Sequence, residues 1–378
     1  MLSNDCRVTP PSATTPDSGR APTPLRLGLL VGDGIGHEIV PATRRVVDTA
    51  VAAVGHEPID WVLLPIGFDA IDSHGTPIPD ETLTALEGLA GWVLGPHDSA
   101  AYPEPFRGDL TPGGVIRKRF DLFANIRPAR AHAGVRSTVP DMDLVIVREN
   151  TEGFYADRNM HTGSGEFMPT PDVAMAVAVF TRRACERIAH TACRLATQRR
   201  GRVTVVHKTN VLPLTTGLFL DAVTDVAAGY PGIRVDAEHV DAMAAHLVRR
   251  GGDFDVVVTE NMFGDILSDL AGELSGSLGT APSLNASETQ AMAQAAHGAA
   301  PDIAGRNRAN PTALMLSAAM LLDWLSDRRG EVGLTRAADR IRRAVADTLA
   351  AGVATADLGG LASTAEFTET VGARILRR

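Results

Sequence analysis

Residues 25–36 read LRLGLLVGDGIG, an apolar run that ends in a glycine-rich turn. A short apolar run bounded by turn residues is typical of a buried strand. A helical pattern follows, from about Glu38 to Val54. The stretch therefore predicts a strand, a tight turn and a helix, which is the repeating unit of an α/β fold.

The same alternation continues along the chain. Apolar runs predict further strands at Trp61–Leu64, Gly91–Leu94, Leu144–Val147, Val203–Val206 and Val256–Val258. Helical patterns lie at Asp80–Leu89, Asp172–Thr197, Leu214–Ala227, Ala242–Arg249, Asp265–Leu274, Thr312–Trp324, Leu334–Ala351 and Thr364–Leu376. The polar stretch Ala156–Pro171 is expected to be an exposed arm or loop. This order predicts an α/β fold with a largely parallel core sheet.

Length and charge restrict the class of protein. The chain has 378 residues, which is long for one core and suggests two domains or two lobes. A net charge of −9 argues against a nucleic-acid partner, and an anionic substrate would need local arginines. No apolar run approaches the roughly 18 residues of a membrane helix, so no membrane partner is expected.

Cysteine usage bears on the compartment. The three cysteines, Cys6, Cys185 and Cys193, fit a reducing compartment such as the cytoplasm better than a disulfide framework. We expect Cys185 and Cys193 to lie on one helix as small apolar residues. Residues 1–25 are rich in Pro, Ser and Thr and lack the apolar stretch of a signal peptide, so they are expected to form a flexible tail.

The segment NMFGDILSD at residues 261–269 contains an acidic pair, Asp265 and Asp269. On a helix this spacing places both side chains on one face, where like charges repel. A hard divalent cation such as Mg²⁺ or Mn²⁺ would remove that penalty, because it prefers carboxylate oxygens. The alternative is an ordinary solvated helix face.

Several arginines lie near the ends of the predicted strands. Guanidinium groups grip carboxylates through paired hydrogen bonds, so a site for a di- or tricarboxylate uses more than one of them. Arg127 follows the apolar run 122–126, and Arg148 follows Leu144–Val147. Solvated surface positions are the alternative, and this is the interpretation we favour for Arg119 and Arg130.

Three further segments contain candidate groups. Tyr155 ends the polar cluster RENTEGFY at residues 148–155 and could donate a proton, although on these residues alone an amphipathic packing role is favoured. Lys208, in VHKTN at 206–210, follows a buried strand and could act in proton transfer or remain a surface lysine. Asp302 lies in the loop HGAAPDIAG at 297–305, which could wrap an extended ligand or be an ordinary loop.

Together these segments resemble the β-decarboxylating dehydrogenase family, which includes isocitrate, isopropylmalate, homoisocitrate and tartrate/D-malate dehydrogenases. The motifs occur in the family order as GDGIG, DLFANIRP, RENTEG with a following tyrosine, HKTN, NMFGDILSDL, HGAAPDIAG and ANPTA. The resemblance covers about residues 26–376. It implies an isopropylmalate dehydrogenase-like fold of two α/β lobes, which is not a Rossmann fold.

The resemblance also implies a domain organisation and an assembly. Residues 26–122 together with 277–378 would form the large lobe with the cofactor loop. Residues 123–276 would form the small lobe, with the dimer interface and the metal ligands. The protein is expected to be a homodimer whose active sites lie between the lobes and are completed by the other subunit.

The resemblance also implies a role for each residue that occupies a functional position of a family motif. Substrate-binding residues are implied at Arg117, Arg127 and Arg148. Catalytic residues are implied at Tyr155, as an acid toward the enol, and at Lys208, which the other subunit would supply for proton transfer. Metal ligands for Mg²⁺ or Mn²⁺ are implied at Asp265, Asp269 and, from the neighbour, Asp241. Cofactor-binding residues are implied at His297, Gly298, Asp302, Ile303 and Asn310, and the pair Asp302-Ile303 is typical of members that use NAD.

The implied reaction oxidises and then decarboxylates a malate-like acid. The metal eases deprotonation of the C2 hydroxyl while hydride passes to NAD⁺. Loss of the carboxylate β to the new carbonyl leaves an enolate, which Tyr155 then protonates. Closure of the lobes would exclude water.

The chain departs from the family at the substrate and cofactor segments. Gln294 stands where an acid near the nicotinamide ribose is usual, and Ala299 where Ser or Thr is commoner. In the segment TPGGVIR at 111–117, no named substrate fits cleanly, although Thr111 could imitate a serine of isocitrate enzymes. We expect a 3-substituted malate whose side group occupies space opened by Gly113 and Gly114.

Other functions are open on sequence alone. A tartrate or D-malate dehydrogenase is one alternative, and a dehydrogenase that does not decarboxylate its substrate is a second. A non-catalytic regulatory paralogue is another, and the presence of the whole implied catalytic set argues against it.

Overall fold

The computed structural model describes residues 24–107, 110–155, 160–161 and 163–377. The expected N-terminal tail and Cys6 lie outside the described residues, apart from Pro24 and Leu25, and Leu25 is already buried. Leu25, the first residue of the apolar run from which the fold was predicted, therefore belongs to the buried core.

The described part of the chain alternates strands and helices, as expected. Its strands are β1 Arg26–Leu30, β2 Asp60–Leu63, β3 Gly91–Leu94, β4 Ala124–Arg130, β5 Asp143–Glu149, β6 Glu166–Thr170, β7 Val173–Ala176, β8 Arg202–His207, β9 Arg234–His239, β10 Val256–Thr259, β11 Leu284–Ala286 and β12 Ala291–Gln294. Its helices are α1 Gly36–Ala53, α2 Phe68–His74, α3 Asp80–Glu87, α4 Pro112–Arg119, α5 Arg182–Thr197, α6 Thr215–Ala227, α7 Val240–Arg250, α8 Asn261–Ser275, α9 Thr312–Arg329, α10 Val332–Ala350 and α11 Thr364–Leu376.

One ten-stranded sheet runs through the molecule in the order β2-β1-β3-β12-β11-β4-β5-β10-β8-β9. Its outer parts are parallel, which confirms the largely parallel core sheet. The centre is antiparallel, because β11 pairs antiparallel with β12 and β4, and β4 pairs antiparallel with β5. The direction of the strands thus reverses in the middle of the sheet.

The buried apolar residues divide along the chain in the same way as the predicted lobes. Two clusters draw on residues 25–122 and 284–375, and they cover both faces of β1, β3 and β12. Two others draw on residues 123–274 and cover both faces of β5, β8 and β10. The division into lobes stays a prediction, and the sheet itself is continuous across it.

The prediction of one long helix from Asp172 to Thr197 is wrong for its first part. Residues 166–176 form the exposed hairpin β6–β7 instead, and α5 begins only at Arg182. The Thr181 hydroxyl caps that helix by accepting from the Ala184 amide. A side-chain cap favours a helix start at that point and not ten residues earlier. Residues 166–170 of the stretch expected to be an exposed arm or loop thus form the exposed strand β6.

Three smaller points concern local structure. Arg127 lies inside β4 and not at its end, because the strand continues through Pro128 to Arg130. Cys185 and Cys193 are both buried on α5, as expected. No helix among the described residues is both long and apolar enough to cross a membrane.

Candidate active site

Helix α8 carries the acidic pair on one face, toward β4 and β5. The Glu260 carboxylate caps the helix and accepts from the Met262 and Phe263 amides at 3.1 and 2.7 Å. The Nη1 atom of Arg127 lies 3.3 Å from Oδ1 of Asp265 and 3.1 Å from Oδ1 of Asp269. Both carboxylates therefore converge on one point, beside the positively charged guanidinium group of Arg127.

Close approach of α8 to the sheet requires a glycine. A Cβ atom on Gly264 would lie 2.7 Å from Cβ and Cγ of Arg148. Carbon atoms in ordinary contact are about 3.5–4.0 Å apart, so no larger residue fits without a shift of the helix. Gly264 thus sets the distance between Asp265 and the arginines of the sheet.

Arg127 and Arg148 lie on neighbouring antiparallel strands and are nearly buried, with 10% and 2% of their side chains exposed. Arg148 donates to Asn261 at 2.8 Å and contacts Asp265 through Nη1. Arg127 donates to the Asn125 amide oxygen at 2.6 Å and to the Ser268 hydroxyl at 2.8 Å. Fixed in this way, both guanidinium groups are pre-organised for a carboxylate ligand.

Charges within the cluster shift the pKa values of its members. Burial lowers the pKa of Arg127 to about 10, and Arg148 acts in the same direction, while Asp265 and Asp269 oppose it. Burial alone would raise the pKa of Asp265, but Arg148 and Arg127 hold it below its ordinary value. Burial raises the pKa of Asp269 despite Arg127. The arginines thus hold Asp265 ionised, whereas Asp269 is more easily protonated than a free aspartate.

Tyr155 and Arg117 reach the same cluster from two other segments. The Tyr155 hydroxyl donates to Asp265, and Cζ of Arg148 lies 5.2 Å from the centroid of its ring. Arg117 lies on α4, and its charge helps to depress the pKa of Asp265. Six of the predicted site residues therefore meet in one place. The two arginines interpreted as surface residues are indeed exposed, and Arg119 pairs with Glu87 and Arg130 with Asp143.

Lys208 and Asp241 lie elsewhere. They pair with each other at 2.6 Å, at the ends of the adjacent strands β8 and β9, where His207 and His239 are in register. Asp241 is 69% exposed. Nowhere in the described ranges do three or more His, Cys, Asp or Glu side chains form a cluster able to hold a metal. A single chain therefore brings two of the three expected ligands together.

The segment around Gly113 departs in part from the expectation. A Cβ atom on Gly113 would be in ordinary contact with Gln294 Nε2 at 3.6 Å, Leu94 Cδ2 at 3.8 Å and Gln294 Oε1 at 3.9 Å, so there is room for a methyl group in a space that Gln294 and Leu94 border. A Cβ atom on Gly114 would lie 2.8 Å from Leu110, so Leu110 fills that space and the expected opening at this position is wrong. The Thr111 hydroxyl caps α4 by accepting from the Gly114 amide at 3.1 Å.

A cavity of about 610 Å³ lies beside the loop that was expected to bind the cofactor. Its lining includes His297, Gly298, Ile303 and Asn310, together with Ile35 of the glycine-rich turn, Ser277, Gly279, Ala300, Arg308, Ala356 and Asp357. Asp302 is exposed next to Ile303 but is not one of the lining residues. Asn310 donates to Asp357 at 2.9 Å.

The glycine-rich turn and the loop touch each other. The Ile35 amide donates to the Ala299 carbonyl at 2.9 Å, and a Cβ atom on Gly34, whose φ is +55°, would lie 2.2 Å from that oxygen. The Nε2 atom of His297 is buried without a hydrogen-bond partner, and burial lowers the pKa of this histidine. Its Nδ1 atom bonds the Gly298 carbonyl at 3.1 Å, so the imidazole keeps one free nitrogen, which fits a polar ligand such as a nucleoside.

Sequence reasoning missed several polar groups. Asp33 is 2% exposed and accepts from the amides of Phe68 and Asp98 and from the Tyr102 hydroxyl, which ties the glycine-rich turn to two other segments. Asn125 supports Arg127 from the same face of β4. Alternation along the strand could have identified Asn125, whereas the partners of Asp33 come from distant positions.

Comparisons with known proteins cover nearly the whole chain. The sequence model described as isocitrate/isopropylmalate dehydrogenase matches residues 26–371. An isocitrate/homoisocitrate dehydrogenase of Thermus thermophilus is 44% identical over 92% of this chain and 97% of its own length. A 3-isopropylmalate/3-methylmalate dehydrogenase of Methanocaldococcus jannaschii is 39% identical over 93% and 98%. The crystal structure of an isocitrate dehydrogenase from Methylococcus capsulatus matches with a TM-score of 0.81 at 36% identity, over 93% and 99% of the two chains.

Proposed function

We propose that this chain, which belongs to the isocitrate/isopropylmalate dehydrogenase family, catalyses the NAD-dependent and metal-dependent oxidative decarboxylation of a 3-substituted malate. Family membership makes it a decarboxylating oxidoreductase that acts on a small carboxylate. The observation that carries the specific reaction is the convergence of Asp265 and Asp269 on a point flanked by Arg127 and Arg148.

The arginines would bind the malate portion of the substrate. The buried guanidinium groups of Arg127 and Arg148 are already held in place by hydrogen bonds, to Asn125 and Ser268 for Arg127 and to Asn261 for Arg148. Little side-chain freedom is therefore lost when a carboxylate binds to them. Arg117 approaches from α4, on the other side of the predicted cleft. A ligand with two carboxylates could thus be held from both sides at once.

The acidic pair fits a divalent cation. Two carboxylates aimed at one point, in a cluster where arginines supply the counter-charge, are the donor set that Mg²⁺ or Mn²⁺ prefers. Asp265 and Asp269 would hold the ion together with Asp241 of the partner subunit. When bound, the metal would polarise the C2 hydroxyl and NAD⁺ would accept the hydride from C2.

Proton movements fall to two residues. Tyr155 directs its hydroxyl at Asp265, within the cluster, and would donate that proton to C3 of the product enol. Lys208 of the partner subunit would accept the proton of the C2 hydroxyl through the base network. Its own chain holds Lys208 away from the acidic pair and beside Asp241, so we propose a homodimer with shared active sites.

Exposed apolar residues beside these groups support that dimer. Val211 and Leu214, just after Lys208, are 64% and 85% exposed, and Ile266, next to Asp265, is 61% exposed. Large apolar side chains at such exposure beside both halves of a site are typical of a surface that another subunit covers.

The test is a substrate panel with NAD⁺ or NADP⁺ and Mn²⁺, in which NADH and CO₂ are measured together. The panel contains isocitrate, homoisocitrate, 3-isopropylmalate, D-malate and tartrate. We expect a 3-substituted malate to give equal amounts of NADH and CO₂ with NAD⁺. NADH without CO₂ would instead indicate a dehydrogenase that does not decarboxylate.

Variants make the test specific to the site. Asp265→Asn should lower kcat/KM by about 10³-fold, because a metal ligand and its charge are lost together. The matched control is Asp72→Asn, at an exposed acid on α2, which should stay within about twofold of the unmodified protein. Equal activity of both variants would contradict the proposed role of the acidic pair.

A further inference from the structure

Glu260 joins helix α8 to the loop that ends in Tyr155. It is the residue directly before the helix and is 2% exposed. Its carboxylate accepts from the Met262 and Phe263 amides at 3.1 and 2.7 Å, and it also accepts from the amide of Phe154. One buried carboxylate therefore contacts two segments that are distant in the sequence.

The loop lies directly against this carboxylate at Gly153. The φ of Gly153 is +83°, and a Cβ atom there would lie 2.5 Å from Oε2 of Glu260 and 3.2 Å from Cβ of Asn261. Any larger residue would displace the loop from the start of α8. Asn261 adds a hydrogen bond from its Nδ2 atom to the Glu152 carbonyl at 2.9 Å. Residues 152–154 thus rest on the N-terminus of α8.

Capping of α8 does not by itself require a glutamate. Ser, Thr, Asp and Asn are preferred at this position, because their shorter side chains already reach the amides of the first turn. Burial raises the pKa of Glu260, and the backbone amides that bind the carboxylate oppose the shift. The charge is thus held against a desolvation cost. What the longer side chain adds is the contact with Phe154.

The contact with Phe154 bears on its neighbour Tyr155, whose hydroxyl donates to Asp265. Asp265 lies in the second turn of α8. The ring of Phe154 also stacks on Phe263, with centroids 6.1 Å apart, which adds apolar contact between the same two segments. Glu260 therefore holds both partners of the hydrogen bond, one through the loop backbone and the other through the helix.

We infer that Glu260 is a positioning residue, which holds Tyr155 against Asp265 for proton transfer to the enolate. The inference rests on the proposed function, because Tyr155 is the acid of that reaction. In that step the Tyr155 hydroxyl gives its proton to C3, where the electron pair of the enolate forms the new C–H bond, and the phenolate then takes a proton from water. Glu260 acts on this step through the backbone alone.

The variant Glu260→Asp separates the two contacts of this side chain. An aspartate keeps the charge and is a preferred cap for α8, but it is shorter by one carbon–carbon bond of about 1.5 Å and should release the Phe154 amide. Hydrogen–deuterium exchange of the whole chain measures this directly. We expect the Phe154 amide to exchange about tenfold faster, while the Met262 and Phe263 amides stay within about twofold of their rates in the unmodified protein.

A double-mutant cycle with Tyr155→Phe shows whether Glu260 acts through the tyrosine. On whichever 3-substituted malate the protein oxidises with NAD⁺ and Mn²⁺, Glu260→Asp should lower kcat by about 10- to 100-fold, because a misplacement of about 1 Å at the reacting groups has that effect. KM should change by less than about threefold, since the arginines stay in place. In a protein that already carries Tyr155→Phe, Glu260→Asp should lower kcat by less than about twofold further.

Two further variants isolate the effect. Gly153→Ala displaces the loop and leaves the helix cap intact, so its loss of kcat should likewise disappear in the Tyr155→Phe protein. Glu331→Asp makes the same chemical change at the residue before α10, where the carboxylate contacts His56 and Arg329. Its kcat should stay within about twofold of the unmodified protein, because these contacts lie outside the cluster of the acidic pair.

The outcomes separate this inference from the function on which it rests. Unchanged exchange at Phe154 in Glu260→Asp would overturn the inference whatever the activity. An unchanged kcat in that variant would also overturn it, and so would losses that add in full in the double variant, since Glu260 would then act independently of Tyr155. Absence of turnover of every 3-substituted malate by the unmodified protein would overturn the proposed function together with the inference.

Discussion

The substitution Gly264→Ala tests whether the distance between α8 and the sheet controls the site. The added Cβ would lie 2.7 Å from Arg148 Cβ and Cγ and 3.2 Å from Thr259 Cγ2. To restore ordinary carbon contacts of about 3.5–4.0 Å, the helix would have to retreat from β5 by about 1 Å. That retreat would carry Asp265 away from Arg148, Arg127 and Tyr155 together.

The expected magnitudes differ for stability and activity. Overpacking costs about 1–3 kcal/mol of unfolding free energy, and replacing a helical glycine by alanine returns up to about 1 kcal/mol. The net loss of stability should therefore be about 0–3 kcal/mol. A misplacement of about 1 Å at reacting groups lowers kcat/KM by about 10²-fold, so activity should fall much more than stability.

The assay pairs urea unfolding with steady-state kinetics on whichever 3-substituted malate the protein oxidises. The matched control is Gly372→Ala, inside α11, where a Cβ would meet no atom within 4 Å. It should raise stability by up to about 1 kcal/mol and leave kcat/KM unchanged. If Gly264→Ala kept kcat/KM within threefold of the unmodified protein, the role given to this close approach would be refuted.

Three other predictions concern charge, cofactor choice and the space beside Gly113. Burial acts to raise the pKa of Asp265 from its ordinary value of 3.8, yet Arg148 and Arg127 hold it lower. Its ionised form thus contributes stability that is complete above about pH 4 and lost as pH falls through the lower native pKa. In metal-free buffer, Asp265→Asn should destabilise the protein at pH 7, and the difference should shrink below pH 4; a difference that grows there would contradict the sign. Asp302→Arg should raise kcat/KM for NADP⁺ relative to NAD⁺ by about tenfold, since a guanidinium accepts the 2′-phosphate that an acid repels, and no change would remove Asp302 from cofactor selection. Gly113→Leu should lower kcat/KM for 3-substituted malates by about 10- to 100-fold but for D-malate by less than threefold, because only the side group needs that space; equal losses would place the substituent elsewhere.

Patterns with a fixed period predicted most of the fold. The apolar runs gave the positions of β1, β3, β5, β8 and β10, and the helical spacing of Asp265 and Asp269 placed both acids on one face of α8. The antiparallel centre of the sheet was not predictable in this way. It depends on which strands become neighbours in space, and no local pattern at β4 or β11 specifies that choice.

The mistakes have local physical causes. The residues from Asp172 were assigned to a helix because they continue an apolar pattern into α5, but they pair as β7 with β6, and the cap at Thr181 fixes where the helix begins. The apolar run that stops at residue 126 predicted a strand end near Arg127, yet β4 continues to Arg130, paired with β5. Gly114 suggested open space because a glycine has no side chain, and only the structure shows that Leu110 fills it.

The sequence predicted which residues belong to the site better than it predicted the contacts between them. Arg127, Arg148, Tyr155, Asp265 and Asp269 were all named on sequence, and they meet in one cluster. Their supports, Asn125, Ser268 and Asn261, were not assigned roles, because a hydrogen bond between distant segments leaves no periodic signal. The contact of Gln294 with Arg117 belongs to the same class, since it joins β12 to α4.

The central claim is that each active site combines Asp265 and Asp269 of one chain with Lys208 and Asp241 of the partner subunit. Its most direct measurement is complementation between two inactive variants, Lys208→Ala and Asp265→Asn, each purified alone and then mixed in equal amounts under conditions that exchange subunits. In a mixed dimer of two-fold symmetry, one site would carry both changes and the other neither, so random exchange should restore about a quarter of the unmodified activity. If the exchanged mixture stayed as inactive as its parents while mixed dimers were shown to form, shared active sites would be contradicted.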